Sequence, residues 1–178
     1  MFNDDQSQTE PETTHTDRSL PSGTSEAQSG SQSKLLYFDA DRNSGRIMRM
    51  VLQQAGFPDF DTFMDAEECL QAHDMHGYEL VLIDFPSETG PHAKLAMSLR
   101  KSERKKDNIK SDIEKLHIAA ILPVGTKPLI KAAILTGASA IWIKPLSPAS
   151  VQKRLKALRK MLHPDDCRKA LLEKLDEL

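Results

Sequence analysis

The sequence predicts an α/β fold in which five short apolar strands alternate with helices that cover both faces of a parallel sheet. Three observations carry that expectation. Leu35–Phe38, Leu80–Ile83 and Ile118–Leu122 are apolar runs of four or five residues with no alternation, too short for helices and suited to strands buried on both faces. Segments of helical period lie between such runs, led by Met48, Val51, Leu52 and Ala55 at i, i+3, i+4 and i+7. Finally, 178 residues at 39% hydrophobic composition suffice for one ordinary core and no more.

In chain order, residues 1–33 are rich in Ser, Thr, Gln and acidic residues and nearly free of large apolar side chains. Such a stretch cannot offset the entropy of ordering, so it is expected to be a disordered acidic tail. Six acids against the lone Arg18 give it a charge of −5, which leaves +3 on the rest of a chain whose total is −2. A folded domain is expected over 34–162. Its first strand, Leu35–Phe38, runs into Asp39-Ala40-Asp41, and a helix from Ser44 to Ala55 is stopped by Gly56. Phe60–Phe63 reads as a second strand and Ala66–His73 as a short helix. The third strand, Glu79–Asp84, stops on a carboxylate, and Pro86 with Gly90-Pro91 marks a loop. The helix beyond it is expected to turn Leu95, Met97 and Leu99 inward.

That helix enters the run Arg100–Lys110, which has six basic and two acidic residues and no aromatic one, the composition of a solvated helix end. Ile118–Leu122 is the fourth strand, closed by Pro123. Lys127–Leu135 is a helix broken by Gly137. Ile141–Ile143 is the fifth strand and delivers Lys144-Pro145, and the last core helix carries Val151, Leu155, Leu158 and Leu162. His163-Pro164-Asp165-Asp166 then restarts the chain and predicts a sixth helix over 165–177, so that 163–178 forms a C-terminal amphipathic segment. Its stripe of Cys167, Leu171, Leu175 and Leu178 needs a partner surface: the domain itself, a second copy in a homodimer, or another protein.

A pI near 6.3 points to neither nucleic acid nor an anionic membrane, and no apolar stretch approaches a membrane span. Cys69 and Cys167 form no disulfide framework and are expected to be reduced thiols of a cytoplasmic protein. There is no Gly-rich phosphate loop, and the six histidines, among them His73, His76 and His117, are scattered without ligand spacing. With no nucleophile beside a general base either, the sequence does not read as an enzyme.

Parallel sheets bind their ligands at the carboxyl ends of strands, and two such ends here carry carboxylates, Asp39 with Asp41 on the first and Asp84 on the third. Over about residues 34–162 the chain resembles the receiver domains of two-component response regulators. The resemblance rests on several spacings that agree: Gly56-Phe57 at the end of the first helix, Asp39 and Asp84 in register with it, Gly137-Ala138-Ser139, and Lys144-Pro145 seven residues beyond Gly137. It implies a flavodoxin-like doubly wound sheet of order 2-1-3-4-5 with an extra C-terminal helix. It also implies Asp84 as phosphoacceptor and Lys144 as a mobile point charge on the phosphoryl oxygens. Magnesium would be held by Asp39, Asp41, Asp84 and the carbonyl of Pro86. The implied partners are a histidine kinase or phosphotransfer protein and a downstream protein, with no nucleic acid and no membrane.

Three positions depart from that family's pattern. The second strand-one acid falls at Ala40, with Asp41 one place on; the strand-four hydroxyl falls at Leu122; and the strand-five aromatic falls at Ile141, with Trp142 expected on the opposite face. Two readings follow: an atypical single-domain response regulator acting through protein contacts, or a pseudo-receiver that binds or dimerises independently of phosphorylation.

Overall fold

The computed structural model describes residues 35–107, 116–160 and 163–177. The tail over 1–33, the end of the basic run, Leu162 and Leu178 lie outside the described residues. The elements are β1 (Leu35–Phe38), α1 (Arg42–Gln54), β2 (Asp61–Phe63), α2 (Ala66–His76), β3 (Leu80–Asp84), α3 (Pro91–Asp107), β4 (His117–Leu122), α4 (Lys127–Thr136), β5 (Ala140–Ile143), α5 (Pro148–Leu158) and α6 (Pro164–Asp176). All four strand pairings are parallel, in the order β2-β1-β3-β4-β5. This is the doubly wound sheet that the apolar runs predict.

β1, β3 and β4 are buried along their whole length. Because side chains alternate across a strand, each of these strands feeds two cores. Leu36, Val81, Ile83, Ile118 and Leu122 pack with residues of α2, α3 and α4, whereas Leu35, Leu80, Leu82, Ala119 and Ile121 pack with α1 and α5. Trp142 joins the α1/α5 core and Ile141 the other, as the strand period requires.

Local chemistry sets the helix limits. Asp41 caps α1 by accepting from Ser44 N, Asp65 caps α2 by accepting from Glu67 N and Glu68 N, and Ser147 caps α5 ahead of Pro148. α2 runs one turn beyond the expected end and stops at Gly77, whose φ of 64° is left-handed. α3 continues through the first part of the basic run as far as Asp107. One inward assignment on α3 is corrected: Leu95 and Leu99 are buried, but Met97 is 50% exposed. Residues two apart on a helix point about 200° away from each other, so Met97 lies opposite the face that Leu95 and Leu99 share.

α6 packs back on the domain, against α4 and β5. Leu175 is buried there, and Arg168 Nε donates to the Ile134 carbonyl at 3.4 Å. Beneath this corner, Arg100 donates from Nε to the Gly137 carbonyl at 2.8 Å and from Nη1 to the Leu116 carbonyl at 2.6 Å. The α4–β5 turn needs glycine at 137 on two counts. Its φ is 129°, and a Cβ there would stand 2.6 Å from Arg100 Cγ. The β4–α4 loop is equally close to β5, since a Cβ on Gly125 would stand 2.6 Å from Ile143 Cδ1.

Candidate functional site

Strand order fixes where a site can form. The connection leaving β1 runs to one side of the β1/β3 pair and that leaving β3 to the other, so a crevice opens at the carboxyl ends of these two neighbours. Phe38 pairs with Ile83, so the residues that follow, Asp39 and Asp84, arrive side by side, 4% and 7% exposed. They share a cavity of about 270 Å³ with Ala40, Asp41, Pro86 and His92.

Lys144 enters from the end of β5, where its backbone N–H is held by the Leu122 carbonyl at 2.9 Å. Its ammonium stands 2.5 Å from Asp84 Oδ1 and donates to Ser44 Oγ at 3.3 Å. Among the described residues that ammonium is the one polar contact of Asp84 Oδ1. Burial pushes the Asp84 carboxyl above its usual value; the Lys144 contact opposes this and the neighbouring Asp39 reinforces it, with a net upward direction. Asp84 is therefore a desolvated carboxyl group whose burial one lysine only partly offsets.

The strand-one acids are committed elsewhere. Asp39 Oδ2 accepts from the Tyr37 hydroxyl at 2.6 Å, and Oδ1 accepts from Asp41 N at 2.8 Å. Burial, with Asp39 alongside, holds the Tyr37 phenol far above its ordinary pKa, so it remains a donor. Asp41 is exposed, and its Oδ1 is spent on the α1 cap, accepting from Ser44 N at 2.8 Å. Ala40 has no donor atom to offer, and among the described residues no three His, Cys, Asp or Glu side chains are gathered where they could share an ion. A magnesium ion wants a few hard oxygens free to converge on it. Asp39, Asp41, Asp84 and Pro86 line one cavity, but Asp41 Oδ1 accepts from Ser44 N, and the carboxylates as arranged are not gathered on one point among the described residues.

Leu122 and Ile141 sit where the sequence places them. Leu122 is fully buried in the α2–α4 core and Ile141 packs against that same core.

His92 belongs to the site and was not singled out from sequence. It is 4% exposed, its ring meets Phe85 edge-on with centroids 4.4 Å apart, and Nε2–H donates to the Ser87 carbonyl at 2.8 Å. Gly90, at φ 140°, leaves room for the ring, since a Cβ there would be 2.7 Å from His92 Cε1. The loop after Asp84 is thus folded onto its own histidine. A signal existed in Gly90-Pro91-His92: a proline that opens a helix puts the next residue in the first turn, facing the strand end.

No family model and no curated protein matches the sequence. Solved structures do match by shape. The chain is similar to the chemotaxis response regulator CheY4 of Vibrio cholerae, with a TM-score of 0.57 and 17% identity over 71% of this chain and 98% of that one. It is similar to CheY of Borrelia burgdorferi in its complex with CheX, beryllofluoride and magnesium, with a TM-score of 0.57 and 18% identity over 72% of this chain and 90% of that one. The receiver domain of the Francisella response regulator 1452 gives a TM-score of 0.54 and 18% identity over 72% of this chain and 98% of that one. The fold is that of a response-regulator receiver domain, extended by α6.

Proposed function

From that fold we propose that the protein is an atypical single-domain response regulator of two-component signalling, with Asp84 as its phosphoacceptor and with output through protein contacts. The observation that carries this reading is the Lys144–Asp84 pair, a desolvated carboxylate at the sheet's switch point with its cation 2.5 Å away. In the reaction proposed, an Asp84 carboxylate oxygen attacks phosphorus, a P–O bond to Asp84 forms, and the P–N bond of a phosphohistidine on a kinase or phosphotransfer protein breaks, the imidazole leaving with its electron pair. Lys144 gives up Asp84 and follows the added phosphoryl charge. The Ser87–His92 contact ties down the loop whose Pro86 and His92 form part of the cavity wall.

A second reading, a pseudo-receiver whose contacts ignore phosphorylation, is favoured by Ala40 and by Leu122, which removes the hydroxyl that would sense the new group. One set of experiments separates the two. Mass analysis after treatment with a small phosphodonor and magnesium is expected to show slow addition of one phosphoryl group, absent in Asp84→Asn and accelerated in Ala40→Asp. If Ala40→Asp changes neither magnesium affinity nor reactivity, the registration of β1 is wrong. If wild type and Ala40→Asp both remain unmodified, and a beryllofluoride adduct leaves the amide spectra of residues 122–146 unchanged, the pseudo-receiver reading stands.

A further inference from the structure

A second cavity, of about 140 Å³, lies between α1 and β2 on the far side of the Asp39–Asp41 turn. Three arginines line it, Arg42, Arg46 and Arg49, spaced i, i+4 and i+7 and so aligned on one face of α1. Arg49 is fixed: its guanidinium lies 5.6 Å from the Phe60 ring centroid and donates to Thr62 Oγ1. Arg42 and Arg46 are exposed and have no hydrogen-bond or ion-pair partner among the described residues. Asp39 and Asp41 line the same groove and keep their charge, since the groups that donate to them, the Tyr37 hydroxyl, Asp41 N and Ser44 N, are neutral; three guanidinium groups therefore face two carboxylates and exceed them by one positive charge. Gly45 adds no side chain to the wall between Arg42 and Arg46.

We propose that this groove binds a phosphate-sized oxyanion, free or carried on a small phosphorylated molecule. Size argues for a single group, since 140 Å³ falls well short of the roughly 300–1,000 Å³ of pockets that enclose whole drug-sized ligands. Chemistry argues for an oxyanion, because planar guanidinium forks pair with phosphate and carboxylate oxygens in a way that lysine does not. Arg49, held against Thr62, presents one preformed edge, and Arg42 and Arg46 continue the same face of α1 along the groove. The site uses neither Asp84 nor Lys144, so it stands apart from the phosphoacceptor reading.

The test is an amide-resolved NMR titration of the full chain with inorganic phosphate in a phosphate-free buffer, against sodium chloride at matched ionic strength. Saturable shifts over residues 42–49 and 61–64 are expected, with a dissociation constant on the order of 1 mM, weakened as salt rises. Arg46→Glu should weaken binding at least about tenfold, as one lost charge-assisted contact implies; Arg42→Gln with Arg46→Gln should do the same without reversing the charge. Asp84→Ala should leave it unchanged. In that Asp84→Ala background an acyl phosphate can be titrated without modifying the chain: shifts matching those of phosphate identify the phosphoryl group as the element recognised, and tighter binding identifies the carried form as the ligand. Shifts that track chloride, that persist in Arg46→Glu, or that appear only around Asp84 and Lys144 overturn the proposal.

Discussion

Replacing Lys144 by Met removes the charge that faces Asp84 while keeping much of the stem's volume. The loss can be bracketed from the geometry. A fully buried pair that loses one member costs about 3–5 kcal/mol, and an exposed pair is worth about 0.2–1 kcal/mol. Here the Asp84 side chain is 8% exposed and the Lys144 side chain 36% exposed, with 2.5 Å between the charges, so the cost lies between the two, at about 2 kcal/mol. For a chain of this size that corresponds to a Tm lower by about 4–8 °C at pH 7. The pH dependence fixes the cause. The folded-state pKa of Asp84 is raised above its unfolded value, so in the wild type this group's contribution falls as pH rises between the unfolded value and the folded one. In Lys144→Met the penalty is present in full only where Asp84 is ionised, and it disappears as pH falls through the folded pKa. Thermal melts across pH 4–8, with Asp84→Asn and the double variant completing the cycle, read this directly. An equal loss at pH 4 and pH 7, or an undiminished loss in the Asp84→Asn background, would refute the pairing as the source.

Four further outcomes are expected. Gly137→Ala forces a side chain into a left-handed backbone and against Arg100, costing about 1–2 kcal/mol for the backbone and about as much again if the Arg100 contacts loosen, which a thermal melt would register. Leu175→Ala should cost about 2 kcal/mol, the low end for a buried leucine on a peripheral helix, and deletion of 163–178 should lower Tm while circular dichroism still reports a folded sheet; a chain that loses its cooperative melt would make α6 part of the core. His92→Ala frees the loop after Asp84, so amide hydrogen exchange over residues 85–92 should quicken with little change in β3; unchanged exchange would show that the histidine does not hold the loop.

The sheet was legible because its strands are buried on both faces, so Leu35–Phe38, Leu80–Ile83 and Ile118–Leu122 are unbroken apolar runs that only a parallel sheet sandwiched by helices explains. The adjacency of Asp39 and Asp84 followed from strand order. Met97 was misread because composition, not angle, suggested it: an apolar residue between two core leucines on a helix still points away from them. Asp41 shows a different limit. An aspartate near a strand end and one at a helix cap look alike in sequence, and only the local turn decides that its oxygen faces Ser44 N. His92 went unseen because a lone histidine in a loop acquires meaning from the fold around it, here Phe85, Ser87 and Gly90.

The near-contact of Gly125 with Ile143 has a consequence for the switch proposed above. Leu122 and Ile141 are apolar and packed in or against the α2–α4 core, so neither side chain can hydrogen-bond to a group at Asp84. The residue beside Lys144 nevertheless presses on the loop that starts α4, with no side chain between to cushion it. If phosphorylation at Asp84, as proposed above, drew Lys144 far enough to shift the end of β5, the loop's backbone would have to yield or hold. In this domain the message would travel as displaced volume, gear against gear, and the missing Cβ at residue 125 sets the backlash.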